Sequence, residues 1–94
     1  MPSVHKKKTF ETLQEQVKRW SDLELKAYPH DGLLRENPFS GERSELSGQE
    51  AAVFDLIWQI QIDEFVVRNA VKVFDMMRYW FMEHNSDAYS TLLD

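Results

Sequence analysis

The sequence predicts an all-α fold. Three principal helices are expected over about residues 9–27, 48–63 and 66–84, with a short C-terminal helix over about 86–93 and a turn-rich link over 29–46. Three observations carry this expectation. Large apolar residues recur at steps of three and four from Phe10 onward, the spacing of one helix face. Ser47-Gly48-Gln49-Glu50 matches a capping box, in which the serine accepts from the third amide and the glutamate reaches back. Turn-forming residues cluster almost wholly between the first and second of these segments.

The first helix should be capped by Thr9 and carry Phe10, Leu13, Val17 and Trp20 on one side, with Leu23 and Ala27 extending the stripe. Tyr28-Pro29 ends it, because the residue before a proline avoids the helical region. The link holds four turn signals: Pro29, Asp31-Gly32, Asn37-Pro38 and Ser40-Gly41. Leu33, Leu34 and Phe39 are expected to pin it to the helices. A short hairpin around residues 38–41 is the weaker alternative for this stretch.

Whether residues 48–84 form one helix or two turns on their polar stripes. Asp55, Gln59 and Asp63 share one face, whereas Glu64, Arg68, Lys72 and Asp75 share another about 100° away. A break near residues 62–67 lets both apolar faces serve one core, as in an αα-hairpin. The third helix then carries a wide apolar arc through Val67, Ala70, Val71, Phe74, Met77 and Phe81, broadened by Val66, Val73, Met76 and Trp80. That arc is wider than one neighbouring helix covers. Asn85 suits a left-handed helix stop, and Ser86 would cap the last helix, with Tyr89, Leu92 and Leu93 inward.

Composition narrows the function classes. Ninety-four residues suit a single domain, read as a flexible basic head over 1–8 and a helical domain over 9–94. The absence of cysteine removes disulfides, thiolate metal sites and thiol nucleophiles, and favours a reducing compartment. No export segment is expected, because the charges of residues 1–8 have no apolar run behind them. No membrane span is expected, because charges interrupt residues 51–82 every few positions. The cytoplasm is therefore the expected location. Residues 1–20 carry five Lys/Arg against two Glu, and residues 21–94 carry six against fourteen Asp/Glu, so a +3 head precedes a −8 body. The acidic body makes nucleic acid an improbable partner, since phosphate contacts need a cationic surface.

No catalytic site, cofactor or metal is expected. His5, His30 and His84 lack ligand spacing, and Asp55 and Asp63 read as a solvated face. No nucleophile–base pair or phosphate-binding glycine motif is present. Two sets of residues remain as candidates. Trp58, Phe65, Met76, Tyr79 and Trp80, with Arg68 and Lys72 at the rim, are an excess of large side chains suited to an interface. Lys6, Lys7, Lys8, Lys18 and Arg19 would meet phosphate or an acidic partner.

Asn37-Pro38-Phe39-Ser40-Gly41, Glu45-Leu46, Glu50-Ala51 with Asp55, Trp80-Phe81 and Ala88-Tyr89-Ser90-Thr91-Leu92-Leu93-Asp94 together form a pattern. It resembles small accessory proteins of tailed bacteriophages over about residues 37–94. The resemblance implies a phage-type origin and an accessory role in a bacterial host; it carries over no catalytic or binding residue. The expected function is therefore protein–protein interaction with a viral or host protein, with a homodimer as one form. One alternative is an acidic inhibitor seated in the nucleic-acid site of a nuclease or polymerase, on the strength of the −8 body. Another is nucleic-acid binding by the basic head.

Overall fold

The computed structural model describes residues 7–63 and 65–93. Its elements are α1 (Phe10–Trp20), β1 (Leu33–Glu36), β2 (Arg43–Leu46), α2 (Gly48–Ile62), α3 (Ala70–His84) and α4 (Ser86–Leu92). Four helices accompany a two-stranded antiparallel sheet, so the chain is mixed α and β. The expectation of an all-α chain with three principal helices and a tail helix is corrected.

Thr9 caps α1 by accepting from the Thr12 amide, and Phe10, Leu13 and Val17 are buried. The helix stops at Trp20, seven residues before the expected end at 27. Ser21 is the reason. Its buried hydroxyl donates to the Val17 carbonyl and accepts from the Leu23 amide, which turns the chain out of the helix. Residues 23–28 then form neither helix nor strand and serve as a strap. Leu25 is buried, and its carbonyl accepts from Gln14 Nε2 at 2.8 Å, which ties the strap back to α1.

The capping box forms at the start of α2, with both reciprocal bonds present. This helix is apolar nearly all round: Ala51, Ala52, Val53, Phe54, Leu56, Ile57 and Ile60 are all buried. Such a helix must be covered on several sides. One side meets α3 and another meets the hairpin of β1 and β2. The strap lies beside Ala52, Asp55, Leu56 and Gln59. It crosses so close to Gly48 that a Cβ there would sit 2.2 Å from the Tyr28 carbonyl oxygen and 2.7 Å from that of His30. The Tyr28 amide donates to the Gly48 carbonyl, and the Gly48 amide donates to Asp31 Oδ1.

Residues 48–84 form two helices. α2 ends at Ile62, and the Asp63 carbonyl accepts from the amides of Val66 and Val67. α3 begins at Ala70 rather than 66, after Asn69 takes a left-handed conformation (φ 56°). Asparagine tolerates that region better than most residues. The inward face of α3 is Ala70, Val73, Met77, Trp80 and Phe81, while Val71 is exposed. α3 packs against α1, α2 and α4. Asn85, not Ser86, caps α4 by accepting from the Ala88 amide, and its φ of −153° is not left-handed. Asn85 Nδ2 also donates to Glu50, so the α3–α4 corner is tied to the capping box.

The link is where the expected fold class failed. Leu33 pairs with Leu46, Leu34 with Glu45, Arg35 with Ser44 and Glu36 with Arg43. Leu33 is half-buried and Leu46 fully buried, so one face of the hairpin joins the core. Leu34 and Phe39, expected to pin the link, are exposed instead. An isolated two-stranded hairpin is marginal in water. Docking on α2 and α4 stabilises this one.

Gly48→Ala should force the strap away from α2, because the obstacles are backbone oxygens that cannot rotate aside. Overpacking of this kind costs roughly 1–3 kcal/mol. A melt followed by circular dichroism should show Tm lowered by on the order of 10 °C.

Candidate functional site

The hairpin tip is built around Asn37, a buried polar residue. Its Nδ2 donates to the Thr91 carbonyl of α4 at 3.0 Å. Its Oδ1 accepts from the amides of Phe39 (2.8 Å) and Ser40 (3.3 Å). Its backbone accepts from the Gly41 amide and donates to the Glu42 carbonyl, both at 2.8 Å. Gly41 closes the turn at φ 78°, a region where a side chain would be strained. One asparagine thus satisfies the turn and anchors it to a helix. The residue this turn displays is Phe39, 88% exposed.

Beside it lies a groove of about 340 Å³. Phe39, Trp58, Phe74, Arg78, Leu92 and Leu93 form most of its walls. The Phe39 and Trp58 rings are 6.3 Å apart, and Trp58 meets the buried Phe54 edge-on at the same distance. Arg78 donates to the Tyr89 hydroxyl at 3.0 Å and lies 3.9 Å from Asp75. The Tyr89 hydroxyl, more than any other neighbour, raises the Arg78 pKa; the guanidinium is in any case always protonated and places a positive charge in the groove wall. The Trp58 indole N–H and the Arg78 Nε–H are buried with no partner among the described residues. A mostly apolar groove with a guanidinium in its wall suits an apolar side chain accompanied by a carbonyl or carboxylate oxygen.

A second polar constellation holds the hairpin on α2. Arg35 grips Asp55 with two bonds, Nε to Oδ1 at 2.8 Å and Nη2 to Oδ2 at 2.9 Å. The Tyr28 hydroxyl donates to the same Oδ2 at 2.5 Å. Strap, hairpin and α2 therefore meet at one carboxylate. The pair is about one-third exposed, so its contribution is at most about 1 kcal/mol, but its bidentate geometry fixes orientation. Asp55 is thus held by neighbours, and Asp63 caps the end of α2.

The expected interface residues are dispersed. Trp58 lines the groove, while Phe65 stands exposed in the α2–α3 connection. Met76 is half-buried against the core, and Tyr79 is exposed with the Arg78 guanidinium 5.3 Å from its ring. Trp80 is 3% exposed, edge-on to Phe10 and stacked on His84, so it belongs to the core. Arg68 approaches Asp22 and the Arg19 carbonyl, and Lys72 Nζ lies 3.2 Å from the Trp20 ring centroid. Both cations dock α1 onto the start of α3. Glu64, the first residue of the expected polar face it shares with Arg68, Lys72 and Asp75, lies outside the described residues.

The expected phosphate contacts do not converge. Lys6 lies outside the described residues, Lys7 is exposed, and Lys8 donates to Gln16. Lys18 shares a shallow hollow with Asp22 and Glu24, and Arg19 is exposed nearby. Among the described residues no group of three His, Asp or Glu side chains is placed to hold a metal. No helix among them is long and apolar enough to cross a membrane. Sequence reasoning missed Phe39, Phe74 and Arg78 as groove residues. An aromatic residue inside the turn motif Asn37-Pro38-Phe39-Ser40-Gly41 was the available signal.

Comparison with protein-family models, with curated proteins and with solved structures finds no match.

Because its proton bonds Asp55, the Tyr28 hydroxyl ionises above the ordinary tyrosine value of 10.0. A raised folded-state pKa means this contact supports folding fully below about pH 10 and is lost as pH rises through the raised value. Alkaline titration followed by tyrosinate absorbance should show a step above pH 10 that Tyr28→Phe removes and Asp55→Asn shifts downward.

Proposed function

We propose that this protein acts by binding rather than catalysis, engaging a viral or host protein in the cytoplasm of a bacterial cell. The supporting observation is Phe39, nearly fully exposed on a turn whose backbone is tied down by Asn37, beside an aromatic groove. A large side chain displayed on a turn whose backbone is already ordered spares the backbone entropy of association, which is the character of an anchor residue. The partner contributes an apolar side chain to the groove and an oxygen acceptor to the Arg78 guanidinium in its wall. The resemblance to phage accessory proteins supports a viral or host protein as the partner class.

The test is capture of partners from phage-infected and uninfected bacterial lysates, followed by affinity measurement with the purified captured protein. Phe39→Ala should weaken binding about 30-fold or more, equivalent to the roughly 2 kcal/mol of an interface hot spot. Its Tm should be unchanged, because the ring packs on little of its own chain. Binding that survives Phe39→Ala but is lost when Lys7 and Lys8 are replaced by alanine would contradict the reading.

A further inference from the structure

The corner where α2 passes into α3 exposes an apolar cluster separate from Phe39. Ile62, Phe65, Val66 and Val71 are between 73% and 96% exposed, with Phe65 the most exposed of the four. Side chains of these types present on the order of 600 Å² together, at the top of the range for the largest apolar patch on a monomer. A standard interface buries roughly 800 Å² on each partner, so this cluster supplies the apolar centre and neighbouring polar residues supply the rim.

A hollow of about 170 Å³ lies between the last turn of α2 and the first turns of α3, lined by Ile60, Gln61, Ala70, Val71 and Phe74. An apolar cavity of about 150 Å³ accepts benzene, so this hollow is the size of one aromatic ring. Phe65, on the connection between the same two helices, does not fill it, being 96% exposed. The two cations of this stretch are turned elsewhere, Arg68 to Asp22 and Lys72 to Trp20. A ring-sized knob and a ring-sized hollow on one corner form a self-complementary surface, the requirement for a twofold interface.

We propose that two copies of this chain dimerise through this corner, the Phe65 ring of each seated in the α2–α3 hollow of the other. The hollow adjoins the Phe39 groove, sharing Gln61 and Phe74 with it, but Phe65 belongs to the corner alone and Phe39 to the groove alone. The two readings therefore fail separately.

Sedimentation equilibrium of the full chain tests the dimer across about 5 to 500 µM at low and high salt. The mass should rise from 11.2 kDa toward twice that value with concentration. Higher salt should leave association unchanged or strengthen it, because each copy carries −5 and screening relieves the repulsion. Phe65→Glu should sediment as a monomer throughout with an unaltered circular dichroism spectrum, while Phe39→Ala should dimerise like the wild type. A wild-type chain that stays at 11.2 kDa across the range overturns the proposal. So does a Phe65→Glu variant that dimerises like the wild type, or a dimer lost in Phe39→Ala instead.

Discussion

α2 is apolar on nearly every side, and the remaining elements are arranged to keep water from it. α3 covers one side, the hairpin a second and the strap a third. With its seven buried apolar side chains, α2 would be insoluble as an exposed surface helix. The strap must cross close, which is why Gly48 stands where any Cβ would meet two carbonyl oxygens. The hairpin must lie flat, and the bidentate Arg35–Asp55 pair with Tyr28 holds it there. Satisfying α2 thereby sets the position of the hairpin, and the hairpin in turn sets the position of Phe39.

The display of Phe39 is a by-product of that packing that binding can use. A six-residue turn between two four-residue strands would ordinarily be mobile. Asn37 removes that freedom, because one side chain bonds two turn amides and a helix carbonyl at once. A buried amide so fully used is costly to disturb, since any change strands polar groups away from water. The turn backbone that carries Phe39 is consequently held beside the groove wall at Trp58, and the polar side chains lining the groove are Asn37, Gln61 and Arg78.

The parts of the fold legible in the sequence were those fixed by local chemistry. The capping box at Ser47 and Glu50 placed the start of α2, and the shift between the Asp55 and Arg68 stripes placed the break after it. The parts that were not legible depended on distant partners. Leu33-Leu34-Arg35-Glu36 and Arg43-Ser44-Glu45-Leu46 are too short and polar to declare themselves strands, and only their docking on α2 and α4 makes them stable. Leu23 and Ala27 fell on the α1 stripe by coincidence, while the Ser21 hydroxyl took the Leu23 amide, which a continued helix would have turned to the Arg19 carbonyl. Of the site, the residue type alone marks Trp58 as an interface candidate, whereas an apolar residue in a turn, such as Phe39, is ordinarily a packing residue. Its exposure follows from Asn37 taking the inward position instead.

The central claim is that Phe39 is held on a rigid turn, and amide ¹⁵N relaxation of the free protein tests it most directly. Order parameters of about 0.85 at Phe39 and Ser40, equal to those of α2, are the predicted result. Values below about 0.6 at these two amides would show a turn mobile on the picosecond-to-nanosecond scale and would contradict the account.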